Sequence, residues 1–244
     1  MTLQYGGGAR RAEDMYCRIC HALGVTDAQI SAVSTSLSAS LSVNGRSYTT
    51  IFRVLRRGVN LSKLNMINDV SRAIVAGNMD IYAAEKRLAE IEKAPGNPST
   101  VTVMAAGFSS AFFALLLGGR LWDFALTFFI GAFINFILSF FEKAGAYNFI
   151  NNLLGGIMDA GLAILISLGA TYVGLATNLE PVIVGAMMPL LPGLAMTNAI
   201  RDTISGDYVS GTAGVMEALS MVIALAAGAA LSIGIFMSLG VSVL

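Results

Sequence analysis

Beyond residue 100 the chain is a series of apolar runs with almost no charge between them. Spans read near 101–119, 124–141, 150–173, 181–200 and 217–243. Each approaches the roughly 17–25 residues that carry a helix across about 30 Å of hydrocarbon. Residues 101–244 hold 3 Lys/Arg and 7 Asp/Glu, against 12 and 8 in residues 1–100. The zero net charge of the 244-residue chain therefore hides a polar, slightly basic segment joined to a very apolar one. Overall 55% of residues are hydrophobic and 12% charged, where a soluble domain carries about 25% charged residues. This excludes an ordinary soluble enzyme, a disordered chain and a disulfide-stapled module. The expected fold is a multi-pass α-helical membrane protein of about five spans with an N-terminal cytoplasmic α/β domain.

The expected division is 1–98 for the polar domain and 99–244 for the membrane domain, at the Pro/Gly break Ala94-Pro95-Gly96-Asn97-Pro98-Ser99. The start, Met1-Thr2-Leu3-Gln4-Tyr5-Gly6-Gly7-Gly8, has no apolar signal region. The polar domain is thus expected in the cytoplasm, with its two cysteines in a reducing compartment. With that end inside, Lys86, Arg87, Lys93, Lys143 and Arg201 are cytoplasmic and only Arg120 is outside, as the positive-inside rule requires.

Within the polar domain, residues 9–23 have helical apolar spacing ending at Gly24, a C-cap residue. Ser31 to Val43 alternates small polar and apolar residues, meets Asn44-Gly45 and continues from Ser47 to Leu55. Asn-Gly between β-prone runs predicts a hairpin. Helices follow at about 61–76 and 80–93, the second capped by Asp80.

Cys17-Arg18-Ile19-Cys20-His21 matches the C-x-x-C-H haem-attachment pattern. Such attachment is extracytoplasmic, and a structural zinc site needs four ligands where this chain has one His. The cysteines lie inside the helix rather than at its N-terminus, where a thiol is activated. The motif reads as packing, and no cofactor or metal is expected. The basic cluster Arg53, Arg56, Arg57 and Lys63 reads as a solvated face, with anionic lipid as the alternative. No phosphate loop, hydrolytic triad or nucleic-acid signature is present.

Two features inside the spans carry more. Asn148, Asn152, Gly155 and Asp159 are spaced 4, 3 and 4, one stripe of a helix. Asp159 falls near mid-span, where an acidic residue costs roughly 2.5–3.5 kcal/mol on insertion scales. It reads as a proton or solute site, or as a structural carboxylate bonded to a neighbouring helix. In the fourth span, Met187-Met188-Pro189-Leu190-Leu191-Pro192-Gly193 places two prolines and a glycine at mid-membrane. Such breaks free backbone groups toward a cavity, or merely kink a packing helix. Thr197, Asn198, Arg201 and Asp202 follow. Arg201 reads as a carboxylate clamp, or as a partner of Asp202 or Glu217.

The stretch Met188 to Asp202, with Gly206-Asp207 and Ser210-Gly211, resembles the bacterial threonine/serine exporter family. Ala12-Glu13 to Ala22-Leu23-Gly24-Val25, Arg57 to Leu61, and Gly118-Gly119 to Asp123 agree with it. The resemblance implies proton-driven export of a small hydrophilic metabolite, such as threonine, serine or a dicarboxylate like succinate. Fused members carry further membrane helices, so it also implies a separate smaller membrane subunit, a homo-oligomer, or both. In the resulting expectation, Pro189, Pro192 and Gly193 form a broken-helix site and Asp159 couples protons. Arg201 attracts substrate, while Asn148, Asn152, Asn198, Asp202 and Asp207 complete the pathway. A passive channel subunit and a non-transporting membrane sensor or scaffold are the rival readings.

Overall fold

The computed structural model describes residues 1–33, 35–54, 58–95 and 99–241. Leu55, Arg56 and Arg57, the Gly96-Asn97-Pro98 part of the expected boundary, and the last residues of the fifth span lie outside them. The chain forms two compact units: residues 1–96 with 193–217, and residues 97–192 with 218–244.

The first unit opens with a short 3-10 turn (Leu3–Tyr5) and then α1 (Ala9–Ala22). Gly24, at φ +79°, ends α1, and Val25 N–H returns to Cys20 O at 2.9 Å, a Schellman closure. Three antiparallel strands follow in the order β1 (Ala28–Val33), β2 (Ser36–Val43), β3 (Arg46–Arg53). Asn44 and Gly45 both have positive φ, at 53° and 74°, as the tight β2–β3 turn requires. The alternating stretch expected as one strand from Ser31 is instead two strands, since β1 ends at Val33 and β2 begins at Ser36. Its uniform small-polar alternation contains no Gly, Pro or Asn to announce that corner.

The Glu13 carboxylate accepts the Ala32 N–H at 2.8 Å and ties α1 to β1. Two further helices, α2 (Leu61–Val75) and α3 (Ile81–Lys93), are N-capped by Asn60 and by Asp80, which accepts from Ala83 N–H at 2.7 Å. Met15 of α1, Ile67, Val70 and Ile74 of α2, and Ala84 and Ile91 of α3 form the core here.

The apolar region supplies α4 (Ser99–Leu116), α5 (Leu121–Lys143), α6 (Asn148–Tyr172), α7 (Leu179–Met187), α8 (Gly193–Ile204) and α9 (Tyr208–Ser238). Of the described helices, α5, α6 and α9 are long and apolar enough to span a membrane. The interrupted pair α7 and α8 makes a fourth candidate if taken as one span. Among the described residues three or four spans are thus candidates, where the sequence leads one to expect about five. Gly118, at φ +89°, closes α4 early, and Gly119 N–H turns back to Ala114 O. The last residues of the apolar run at 101–119 thus belong to a turn, not to a helix. The 18 residues of α4 lie at the short end of the range that crosses a bilayer.

In the second unit, Ile130, Ile134 and Leu138 of α5, Ala163 of α6, and Val182 and Ala186 of α7 share a core. Phe108 and Phe112 of α4 meet Phe128 and Phe124 of α5 edge-on, with ring centroids 4.9 and 5.3 Å apart. Asp123, fully buried, accepts from Arg120 N–H and Asn178 N–H, closing the ends of α5 and α7. Phe112, Leu116, Phe129, Phe136 and Phe140 remain exposed, the surface that helices present to lipid rather than to water.

Glycine sets the approach of α6 to α9. A Cβ on Gly156 would collide with Leu225 O, and one on Gly228 with Leu153 O. Such small residues let backbones touch where no hydrophobic drive between helices exists. Substituting Gly156→Val should therefore destabilise the protein by about 1–3 kcal/mol. Thermal unfolding in detergent checks this, and an unchanged midpoint would mean the two helices do not touch there.

Candidate functional site

The interruption after α7 is a sequence of local steps. Met188–Leu190 tightens to a 3-10 turn that accommodates Pro189 in its first residues. Leu191 is extended at ψ 136°, as a residue before proline prefers, and α8 starts afresh at Gly193. The α7 helix thus ends before either of these prolines, and the 3-10 turn stops one residue short of Pro192. Both prolines are half-buried and Gly193 is exposed.

The α6 stripe runs from surface to interior. Asn148 is exposed at the first turn, and its carbonyl accepts from the half-buried Asn152 side chain at 2.9 Å. Gly155 is buried, and Asp159, midway along α6, is 0% exposed. Neither carboxylate oxygen of Asp159 has a hydrogen-bond partner among the described residues. An unpartnered charge at such a position is costly.

Two elements converge beside it within the same unit. A Cβ on Gly155 would lie 3.0 Å from Leu190 Cδ1 and 3.2 Å from Leu138 Cδ1. The 3-10 turn of the broken helix therefore packs one helical turn from Asp159. The short connection from α5 to α6 makes them an antiparallel hairpin. Asn135, one turn before Leu138, thus sits at the level of Asp159, one turn after Gly155. The buried Oδ1 of Asn135 and Oδ1 of Asn151 also lack partners among the described residues. Asn151 escaped the sequence reading, although its i+8 spacing to Asp159 is a signal that could have found it.

The other expected residues lie in the first unit. Asn198 donates through Nδ2 to Gly6 O at 3.1 Å, and Arg10 donates to Ser205 O at 3.2 Å, holding the N-terminal turn on α8. Asp202 is buried and Arg201, next in the helix, is exposed. Asn198 and Asp202 line a cavity of about 30 Å³ with Gly8, Ser210 and Glu217, room for about one water. Asp207 caps α9, its carboxylate accepting the Ser210 N–H at 3.0 Å. Gly8 and Ser210 were not foreseen as neighbours, because nothing local in sequence joins residue 8 to residue 210.

The C-x-x-C-H motif is split by the helix surface: Cys17 is exposed, Cys20 buried and His21 exposed. Among the described residues no cluster of three metal-capable side chains exists. Burial pushes the Cys20 thiol above its ordinary range. The Tyr16 hydroxyl is pushed up to about 12, chiefly by burial and then by its hydrogen bond to Cys20.

A helix bundle of membrane-spanning length with a broken helix beside a buried acid defines an integral membrane protein built like a transporter. The family model described as "Putative threonine/serine exporter" matches residues 1–236, and the chain belongs to that family, which is not an enzyme family. A "Threonine/serine exporter" of Corynebacterium glutamicum is 29% identical over 216 residues, covering 87% of this chain and 44% of that protein. The chain thus spans less than half the length of that relative. The "Probable succinate transporter subunit YjjP" of Escherichia coli (strain K12) is 24% identical over 216 residues, 86% of this chain and 81% of that protein. Its namesake in Klebsiella aerogenes is 25% identical, over 86% of this chain and 80% of that protein. No solved structure matches the chain.

A raised thiol pKa leaves less thiolate at neutral pH, and the thiolate is the reacting form. Maleimide at pH 7.5 should therefore label native protein almost wholly at Cys17, with Cys17→Ser lowering labelling at least about tenfold. Equal labelling of Cys20 would contradict a packing role for the motif.

Proposed function

We propose that this protein is a subunit of a secondary exporter of small hydrophilic metabolites, driven by the proton gradient. The observation that carries the reading is the 3-10 turn of the interrupted helix packed through Gly155 beside a fully buried, unpartnered Asp159. Interrupted helices at mid-membrane expose backbone groups that bind solutes, and a lone intramembrane carboxylate suits proton exchange. In this reading Asp159 takes up a proton in one state and releases it in the other. Asn135, Asn151 and Asn152 supply neutral hydrogen-bonding groups along the route. Arg201, exposed on α8, draws the substrate carboxylate to the cytoplasmic mouth, Asn198 holds the N-terminal turn against that helix, and Asp202 lines the small cavity beside it.

The substrate proposed is an amino acid such as threonine or serine, or a dicarboxylate such as succinate, in line with the names of the relatives. We place the protein in the plasma membrane as a multi-pass protein, with residues 1–98 as a cytoplasmic α/β domain and 99–244 as the membrane domain. A smaller membrane subunit completes the transporter, as the word "subunit" in two relatives' names and the extra length of the third suggest.

The test is efflux of labelled threonine, serine and succinate from loaded cells, with and without a candidate small subunit and a protonophore. Asp159→Asn should reach the membrane at normal levels yet lose at least about nine-tenths of protonophore-sensitive efflux. Unchanged, protonophore-sensitive efflux in that variant would remove Asp159 from the mechanism. Efflux that ignores the protonophore in the parent protein would favour a passive channel.

A further inference from the structure

The facing surfaces of α1 and α2 enclose a feature that export does not use. Arg11, Met15 and Arg18 are spaced 4 and 3 on α1, and Asn68, Ser71, Arg72 and Val75 are spaced 3, 1 and 3 on α2. Each set is one stripe of its helix. Together with Ala76 they line a cleft of about 280 Å³ lying wholly within the first unit. Its floor is polar as well as apolar: Asn68 and Ser71 are each only 8% exposed, as is Met15. Asn68 and Ser71 thus bring an amide and a hydroxyl to the lining of the cleft. Three guanidinium groups stand at the rim, and no carboxylate is among the lining residues. Arg18 spends only Nε on a neighbour, the Asp14 carbonyl at 3.1 Å, which leaves its two terminal amino groups.

We propose that this cleft binds a small multivalent oxyanion, a dicarboxylate or a phosphate-bearing metabolite. Guanidinium forks pair with carboxylate or phosphate oxygens two at a time. Three of them around one concavity select a ligand with more than one anionic group over a singly charged one. Asn68 and Ser71 supply the neutral donors and acceptors that orient it. The volume lies at the small end of ligand pockets, about 300–1,000 Å³, and so fits a compact anion rather than a polymer. The site is a separate one from Asp159, and its occupation by a cytoplasmic anion would report metabolite supply to the membrane part.

The experiment is calorimetric titration of the full chain, in neutral detergent at low salt, with succinate, with inorganic pyrophosphate and with acetate as a monoanion. A parallel arm measures flotation with vesicles of phosphatidylglycerol and with vesicles of neutral phosphatidylcholine. Binding of succinate or pyrophosphate but not acetate is expected, weakening as salt rises. The triple variant R11Q/R18Q/R72Q should bind at least about tenfold more weakly. Its three positions are exposed, and an unchanged circular dichroism spectrum verifies its fold. Flotation with the anionic vesicles alone, without soluble-anion binding, would overturn the proposal, because a phosphatidylglycerol headgroup carries a single charge. Absence of both kinds of binding, or binding indifferent to the triple variant, would overturn the proposal. Because the readout is binding, it stands or falls independently of any efflux result.

Discussion

In hydrocarbon no water is at hand to satisfy a backbone N–H or C=O, so a chain that crosses it must close those bonds within its own helices. This constraint accounts for α5, α6 and α9 as long unbroken helices. It also makes the interruption at Leu191-Pro192 meaningful, since freed backbone groups must be sheltered by protein or meet a polar cavity. The 3-10 turn Met188–Leu190 is sheltered on one side by Gly155, where the missing side chain lets Leu190 approach. The same absence of bulk at Gly156 and Gly228 lets α6 and α9 touch backbone to backbone. Packing of this sort replaces the hydrophobic drive that lipid cannot supply.

Against that background, polar groups divide by whether the fold satisfies them. Asp123 is as buried as Asp159, yet it receives two backbone N–H groups and closes two helix ends. Asp207 likewise serves as a cap. Asp159 receives nothing from the described residues. Two acids of equal burial therefore differ: one is already spent on architecture, and the hydrogen-bonding capacity of the other is unspent among the described residues. The contrast is the physical basis for placing the coupling role on α6 rather than on the α5 terminus.

In the first unit, polar residues likewise separate into structural and available ones. Glu13, Asn60 and Asp80 are engaged with backbone N–H groups. Asn68, Ser71 and three arginines instead line the α1–α2 cleft. Alternating Ser and Thr on β2 and β3 bond across the sheet, as Ser40 does with Thr49 at 3.0 Å.

The sequence by itself determined whatever is written in local patterns. Long apolar runs dictated membrane-length helices, Asn44-Gly45 dictated a hairpin, Gly24 and Asp80 dictated helix ends, and the 4-3-4 spacing put Asn148, Asn152 and Asp159 on one stripe. Each follows from a preference acting over a few residues. The corner between β1 and β2 and the early end of α4 were illegible, because turn signals there were absent or hidden inside an apolar run. Tertiary structure alone decided that Leu190 meets Gly155, that Asn198 holds Gly6 across 192 positions of chain, and that Arg11 and Arg18 face Asn68 and Ser71. These depend on which surfaces close on each other, and packing complementarity between distant segments leaves no mark in the spacing of either one.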